Sequence, residues 1–378
     1  MQTIATPDRS HADQALSEAV FTPASRSGLR LSVIVPARNE QNSIDACLRS
    51  LLEQAEPGWE LGRQWELIVV DDHSTDGTLA VAQNLLQSME GTRLVEAASL
   101  PAGWMGKAHA SATGVAEATG EWLLFTDADT IYAPGRLSVA LTEAERHQVA
   151  MLSYAPRQSV EGILLRGLMA LILSEIASAY PMAKVNNPAS PIAAANGHFL
   201  LVRREAYEAV GGYEAVRQIV LGDFMLAEQI KRRKLGLRFR YAPEVVSARM
   251  DRSLRAIEQD WNRNLVQLFP KAPKLALWRL FDLFLLLGLP VAAWLLAFFH
   301  VTPWYWGAVL VLWLRSLLRF WQRIGRSHLS TSTCALAPLA LPLYAGRLLK
   351  SWWNYRVKDR IEWKGRIYSG SGKGQRNQ

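Results

Sequence analysis

Short apolar runs alternate with helical patterns over the first third of the chain, and no other sequence feature constrains the fold as strongly. Strand-like runs lie at residues 31–35, 66–70, 92–95 and 122–125, and amphipathic or small-residue patterns typical of helices separate them. Strands and helices that alternate at this spacing form a parallel sheet with right-handed crossovers. We therefore predict an α/β fold with a mostly parallel sheet.

Three of these strand-like runs end in polar clusters: PARNE at residues 36–40, DDHSTDGT at residues 71–78 and TDADT at residues 126–130. Because strand ends in such a sheet face the same crevice, we expect the clusters to converge there. Asp127 and Asp129 bring two carboxylates to one strand end, and hard oxygen ligands suit Mg²⁺ or Mn²⁺. An isolated Asp-Ala-Asp would be read as a solvated turn, but three polar strand ends in order favour a site.

The basic residues are concentrated at the end of the chain. From Arg315 onward lie 13 of the 42 Lys and Arg residues but 2 of the 34 Asp and Glu residues, and 9 of the 14 tryptophans lie from Trp278 onward. Basic side chains among tryptophans and apolar runs indicate attraction to anionic lipid. A nucleic-acid partner is not expected, because the sequence lacks a reader motif.

Two apolar runs near the C-terminus favour membrane insertion. Residues 280–299 are long enough to cross a bilayer, with Asp282 expected to reach its interface, and a second run covers residues 303–314. The connection between them carries no Lys or Arg, whereas four arginines follow the second run. The positive-inside rule therefore places both ends of this hairpin in the cytoplasm. We interpret residues 163–180 as a buried or interfacial helix, and residues 334–344 as a re-entrant or interfacial segment.

The sequence thus predicts four regions. Residues 1–28 form a disordered arm without a secretory signal, residues 29–272 a catalytic domain, residues 273–350 the membrane helices, and residues 351–378 a basic cytoplasmic tail. Cys47 and Cys334 are too few for a disulfide framework, which suits a reducing compartment. The expected location is the plasma or inner membrane, with the catalytic domain in the cytoplasm.

The polar clusters, together with LPAGWMGK at residues 100–107, occur in the order seen in family 2 glycosyltransferases of the GT-A fold. The chain resembles that family over roughly residues 30–270. GWMGK, the later segment AAANGHFLLVRREAYEAVGGY and the terminal WKGRIY are similar to the hopanoid-associated and carotenoid-type branch. The resemblance implies a nucleotide-diphosphate sugar as donor, UDP-linked, a lipid acceptor and a Mg²⁺ or Mn²⁺ cofactor.

The resemblance also implies roles for single residues. Asp129 would bind the metal, Asp127 would contact metal or ribose, and Asp223 would be the general base, although Gly222 replaces the family's preceding Glu. Four further residues would hold the nucleotide sugar, namely Glu40, Asp71, Asp72 and Lys107. Structural alternatives remain for two of these residues: Lys107 as a solvated loop lysine and Asp223 as an acid favoured by a helix dipole. We interpret Asp76 as a turn residue, and His109 and His198 as structural histidines.

The function these features predict is a membrane-anchored, inverting, metal-dependent hexosyltransferase that glycosylates a polyisoprenoid-type lipid, such as a carotenoid or hopanoid. Two alternatives stay open. The same fold could act on a polyprenyl phosphate or a polysaccharide, although the QDWNRNL segment lacks the Arg-Trp pair of processive synthases. The chain could also be a catalytically silent membrane scaffold.

Overall fold

A computed structural model describes residues 28–54, 56–159, 162–249, 261, 263–296 and 303–368. The chain divides into two compact units, the first comprising Met1–Ser159 and Met182–Arg249, the second Val160–Pro181 and Met250–Gln378. The predicted N-terminal arm lies outside the described residues except for Gly28. The same holds for the end of the predicted basic tail.

The described part of the first unit contains ten strands. They are β1 Leu31–Ala37, β2 Trp65–Asp71, β3 Thr92–Glu96, β4 Trp122–Phe125, β5 Thr130–Tyr132, β6 Met151–Ala155, β7 Arg157–Ser159, β8 Leu200–Arg203, β9 Leu237–Tyr241 and β10 Val246–Arg249. Seven of them form one sheet in the order β3-β2-β1-β4-β8-β6-β9, and β5, β10 and β7 form a smaller sheet. In the large sheet β8 alone runs antiparallel to its neighbours β4 and β6.

The predicted α/β fold with a mostly parallel sheet is confirmed. All four predicted strands form, and β1 and β2 extend two and one residues further, to Ala37 and Asp71. Every residue of β2 is buried, as expected for a parallel strand that is covered on both faces. The large apolar cluster around the sheet includes the indole rings of Trp65 and Trp122, at 1% and 0% exposure.

The described part of the first unit contains eight helices. They are α1 Ile44–Leu52, α2 Thr78–Leu86, α3 Gly106–Glu117, α4 Leu137–Arg146, α6 Met182–Val185, α7 Arg204–Ala209, α8 Gly212–Ala215 and α9 Gly222–Arg232. Helix α2 ends at Leu86, because Gln87 is extended and Ser88 adopts a left-handed conformation. Helix α3 begins at Gly106, so that Lys107 lies in its first turn.

The described part of the second unit is mainly helical. It contains α5 Ile163–Ala179, α10 Ala272–Leu283, a π-helical turn Phe284–Gly288, α11 Leu289–Leu296, α12 Pro303–Ile324, a 3₁₀ turn Gly325–Ser327, α13 Thr331–Ala335, α14 Ala337–Arg356 and the hairpin β11 Ile361–Trp363 and β12 Arg366–Tyr368. By length and composition, two helical stretches among the described residues could cross a membrane: Ile163–Val185, half buried, and Ala272–Leu295, 11% buried. The predicted second span lies within α12, and the predicted tail begins inside α14.

A cluster of four charges connects three helices of the second unit. Arg279 Nε lies 2.9 Å from Glu175 Oε1, and Arg323 Nη1 lies 2.9 Å from Asp282 Oδ2. Asp282 also pairs with Arg279. Sequence reasoning expected Asp282 to reach the membrane interface and Arg323 to belong to a cytoplasmic basic flank. The structure adds a pairing that the sequence did not indicate, in which these side chains neutralise one another between α5, α10 and α12.

Helix α3 packs closely on the sheet through a glycine, which gives a test of the fold. A Cβ added to Gly114 would overlap the Ile34 side chain and press on Val70. We expect Gly114→Val to lower the free energy of unfolding by at least about 1–3 kcal/mol, because it overpacks the core. Ala116→Val, on the exposed side of the same helix, should change it by about 0.5 kcal/mol. Denaturant unfolding of both variants measures the difference, and equal effects would contradict this packing.

Candidate active site

The strand register brings the predicted acidic clusters to one edge of the large sheet. Ala37 at the end of β1 pairs with Asp71 at the end of β2, and Ile34 pairs with Phe125 at the end of β4. Asp127 and Asp129 therefore follow β4 at the same carboxyl edge as Asp71, with β1 between them. Two strand spacings put these clusters roughly 10 Å apart.

Asp127, Asp129 and His198 form a group whose ligand atoms all lie within 4.8 Å of one another. His198 Nε2 is 3.5 Å from Asp129 Oδ1, and His198 Nδ1 is 3.8 Å from Asp127 Oδ2. Asp129 Oδ1 is buried, and no residue that the structure describes donates a hydrogen bond to it. Two carboxylates and an imidazole, one with a free buried oxygen, fit a divalent cation such as Mg²⁺ or Mn²⁺.

The position of His198 is fixed by hydrogen bonds around the turn that precedes β8. Its carbonyl oxygen accepts hydrogen bonds from Thr126 Oγ1 at 2.8 Å and Tyr132 OH at 3.4 Å. Its ring Nδ1 lies 2.7 Å from Asn196 Oδ1. An Nδ1–H that donates to this oxygen leaves Nε2 with the lone pair that a metal requires. Burial lowers the pKa of His198, but the carboxylates of Asp129 and Asp127 raise it, and the net shift is upward.

Sequence reasoning missed the place of His198 in this group. The reason is the antiparallel strand β8, whose residue Leu200 pairs with Phe125 of β4. Two positions beyond that pair, the register sets residue 198 opposite residue 127. An isolated sequence shows neither this pairing nor its direction, although the neighbouring Asn196-Gly197 marks a turn at this point.

Lys107 lies between Asp223 and the group of possible metal ligands, and contacts that group through Asp127. Its Nζ lies 2.5 Å from Asp127 Oδ1 and 2.8 Å from Asp223 Oδ2. Burial lowers the pKa of Lys107, but the carboxylates of Asp127 and Asp223 raise it by a larger amount. The net shift is upward, so the ammonium group stays charged. The alternative interpretation of Lys107 as a solvated loop lysine is therefore wrong, because its side chain pairs with two carboxylates from the first turn of α3. Asp223 lies in the first turn of α9, and its other oxygen, Oδ1, accepts a hydrogen bond from Tyr213 OH.

The predicted nucleotide-binding residues lie on the adjoining loops. Asp71 and Asp72 are 3% and 2% exposed. Asp71 Oδ2 accepts a hydrogen bond from Ser74 N at 3.0 Å, whereas Oδ1 is buried without a hydrogen-bond donor in the described part of the chain. A ligand N–H or O–H group could use this acceptor. Asp72 donates its backbone N–H to Ala37 O at 2.8 Å.

Glu40 belongs to the same edge of the sheet. Its carboxylate accepts a hydrogen bond from Ser43 Oγ at 2.8 Å. Burial, followed by the negative charges of Asp129, Glu40 and Asp127, raises the pKa of the buried Cys47 thiol. The turn interpretation of Asp76 agrees with the structure, since its Oδ1 accepts a hydrogen bond from Thr78 N at 3.0 Å where α2 begins.

The mixed sheet, with Asp127, Asp129 and His198 grouped at its carboxyl edge, agrees with the GT-A fold that the sequence resemblance implies. Residues 32–211 match the family model described as glycosyl transferase family 2. This stretch is therefore a family 2 glycosyltransferase domain, and the predicted enzyme class is confirmed.

Similar proteins extend beyond this domain. The chain is 24% identical over 355 residues to the 4,4'-diaponeurosporenoate glycosyltransferase of Staphylococcus aureus (strain USA300), which covers 90% of this chain and 88% of the relative. The protein of the same name from the bovine strain RF122 is 25% identical over 358 residues.

Solved structures are similar at lower identity. A mannosyltransferase from Pyrobaculum calidifontis, in complex with GDP-Man and Mn²⁺, is 20% identical with a TM-score of 0.48 over 91% of this chain and 96% of its own. Residues 1–349 of TarS from S. aureus, in complex with UDP-GlcNAc, are 15% identical with a TM-score of 0.42 over 92% of this chain and 99% of that chain.

Gly197 gives a test of the close packing in this cluster. A Cβ added there would overlap Asp223 Oδ2 and Lys107 Nζ, and would lie 3.3 Å from Asp127 Oδ2. We expect Gly197→Ala to reduce sugar transfer by about 100-fold, because displacement of such groups by about 1 Å has effects of that size. Gly325→Ala, where a Cβ meets no atom within 4 Å, should leave the rate unchanged. Steady-state assays on both variants make the comparison, and normal activity of Gly197→Ala would contradict the arrangement.

Proposed function

We propose that this protein is a membrane-anchored, inverting glycosyltransferase that moves a sugar from a UDP-linked donor to a polyisoprenoid-type lipid, a carotenoid or a hopanoid. The observation that carries the proposal is the single cluster formed by Asp127, Asp129, His198, Lys107 and Asp223. The cluster combines ligands for a divalent metal ion, a lysine ammonium group that can bind a diphosphate, and a carboxylate, that of Asp223, that can accept a proton from the acceptor.

The donor half of the site lies at the ends of β1, β2 and β4. Asp129, Asp127 and His198 would hold Mg²⁺ or Mn²⁺, and the imidazole nitrogen favours Mn²⁺, because Mg²⁺ strongly prefers oxygen ligands. When bound, the cation stabilises the charge that develops on the leaving diphosphate. Glu40, Asp71 and Asp72 contact the nucleoside in this proposal, with the free Oδ1 of Asp71 as an acceptor.

Lys107 and Asp223 carry the chemistry of the acceptor side. Lys107 exchanges its carboxylate partners for the donor diphosphate, to which its charge is attracted. Asp223 Oδ2, released from Lys107, accepts the proton of the acceptor hydroxyl. The hydroxyl oxygen forms a bond to the anomeric carbon as the bond from that carbon to the diphosphate breaks, and the electron pair leaves with the diphosphate. Attack opposite the leaving group inverts the anomeric centre.

The lipid acceptor is supported by the relatives and by the surface of the second unit. The S. aureus relatives are named for a carotenoid-type acceptor. Large apolar side chains are exposed along α10, α11 and α12, among them Leu277 at 69%, Trp294 at 61% and Trp304 at 75%. Contiguous apolar surface of this kind marks a contact with a membrane or partner. The charge distribution supports a plasma-membrane location, with the catalytic domain in the cytoplasm and the basic C-terminal region on the same side.

The group that accepts the sugar could be a carboxylate or a phosphate instead of a hydroxyl. The name of the S. aureus relatives denotes a carboxylate, and an ionised carboxylate needs no base to attack. The same applies to a polyprenyl phosphate. The unbalanced negative charge of the cluster favours a neutral hydroxyl, since a further anion would meet Asp127, Asp129 and Asp223. A hydroxyl acceptor needs a base, whereas a carboxylate or phosphate acceptor does not. Removal of the base therefore distinguishes these acceptors.

Two substitutions test the assigned roles. We expect Asp129→Ala to abolish Mn²⁺-dependent binding of UDP, because the free buried carboxylate oxygen is lost. Asp223→Asn should keep that binding and lower transfer by about 10²–10⁴-fold, the range for a general base. Calorimetry with UDP, and labelled nucleotide sugars given to membranes followed by lipid extraction, measure the two effects.

Asp45→Ala provides the matched control, since Asp45 pairs with Arg49 on the exposed face of α1, and both properties should stay at the wild-type level. Full transfer by Asp223→Asn would favour a carboxylate or phosphate acceptor. Metal-dependent binding without turnover of any donor in any lipid extract would favour the scaffold.

Membrane contact predicts which tryptophans meet lipid. Trp278 and Trp304 are exposed in the second unit, whereas Trp65 is buried in the first. We expect vesicles of brominated lipid to quench part of the tryptophan fluorescence of the reconstituted protein. The Trp278→Phe, Trp304→Phe double variant should lose much of the quenched amplitude, and Trp65→Phe should lose none of it. Absence of quenching would contradict membrane contact by this surface.

A further inference from the structure

We infer that Tyr213 is a positioning residue that fixes the carboxylate of Asp223, so that its Oδ2 faces the acceptor while its Oδ1 stays bound to the tyrosine hydroxyl. The inference deepens the proposed function and rests on Asp223 being the base. The proposed function assigns Asp223 as the base. The inference adds the residue that orients the carboxylate of Asp223.

Tyr213 is held rigidly in the interior of the first unit. Its side chain is 1% exposed. The ring packs edge-on against Phe125 of β4, with ring centres 5.0 Å apart and an interplanar angle of 87°. Its backbone N–H donates to Tyr207 OH at 2.9 Å. These contacts hold the Tyr213 hydroxyl in one position relative to β4, the strand that Asp127 and Asp129 follow.

The hydroxyl of Tyr213 acts as a hydrogen-bond donor. Burial, followed by the charge of Asp223, raises the pKa of Tyr213 well above its ordinary value. The phenol therefore stays protonated and donates to Asp223 Oδ1. A hydrogen bond to an ionised acceptor in a buried setting is stronger than one between neutral groups.

The two partners of Asp223 differ in how firmly they are held. Lys107 is shared with Asp127, its side chain is 26% exposed, and it extends from the first turn of α3 on a flexible stem. Tyr213 is buried, and Asp223 is the carboxylate that its hydroxyl binds. When a diphosphate attracts Lys107, the carboxylate loses its mobile partner and keeps its rigid one. The carboxyl group then cannot rotate freely, and Oδ2 remains the oxygen directed at the acceptor.

The backbone beside Asp223 suits this contact. Gly222 begins α9, and a Cβ added there would lie 3.4 Å from the Tyr213 ring. The glycine that replaces the acid expected from the family thus lies directly against the tyrosine. Without a side chain at this position, no second carboxylate competes for the Tyr213 hydroxyl.

The test compares two buried tyrosines that differ in what their hydroxyls contact. Tyr213→Phe keeps the ring and removes the hydrogen bond to Asp223, whereas Tyr154→Phe removes a buried hydroxyl that donates to Glu143 Oε2 at 2.7 Å. With full-length protein in membranes, we expect Tyr213→Phe to lower kcat at least about tenfold, because the base loses its orientation. The KM for the donor and its metal-dependent binding should not change. Tyr154→Phe should lower thermal stability and leave kcat per folded protein at the wild-type level.

A double variant separates positioning from a structural effect. In the Asp223→Asn background, Tyr213→Phe should cause no further loss of kcat, since the base is already absent. Equal losses of kcat in the two tyrosine variants, or an additive loss in the double variant, would overturn the inference. If Asp223→Asn retains full activity, the proposed base fails. If Asp223→Asn is inactive while Tyr213→Phe is normal, only the positioning role fails.

Discussion

Electrostatic repulsion among Asp127, Asp129 and Asp223 is the constraint on which this structure depends. The strand register and the start of α9 bring these three carboxylates to one edge of the sheet, where charges are costly unless they are paired. Lys107 neutralises two of them through contacts of 2.5 and 2.8 Å, and His198 faces the third at 3.5 Å. The cluster remains short of positive charge, and a divalent cation would supply it. This deficit gives a physical reason for metal-dependent binding of a diphosphate.

The charge cluster of the second unit shows the opposite balance. There, Glu175 and Asp282 face Arg279 and Arg323, so two acids meet two bases. A balanced set has no unmet demand for a ligand and holds α5, α10 and α12 in one arrangement. Breaking such a set by removing one member is strongly destabilising, because it leaves a charge without its partner. Clustered charges therefore have two uses in this protein. In the second unit they link helices, and in the first unit they leave a negative charge that a bound cation would neutralise.

The parts of the structure that local patterns encode could be predicted from the sequence. Strands β1 to β4 are dense apolar runs followed by polar clusters, so their positions and their convergence were predictable. The sequence did not indicate β8, because its direction depends on pairing with β4, which lies 75 residues earlier in the register from Phe125 to Leu200. His198 was misread for the same reason. The sequence also did not indicate that Lys107 contacts Asp127 and Asp223, or that Asp282 pairs with two arginines, because a charged side chain gives no sign in sequence of the partner that it will meet.

The most direct measurement of the central claim is pulsed electron paramagnetic resonance on Mn²⁺ bound to the full-length protein with UDP. The account predicts two couplings to the same ion, one to ³¹P of the diphosphate and one to ¹⁴N of the His198 imidazole. The nitrogen coupling should disappear in His198→Ala. A Mn²⁺ ion with phosphorus coupling but no nitrogen coupling in the wild type, or a nitrogen coupling that survives in His198→Ala, would contradict the assignment of the metal to this edge of the sheet.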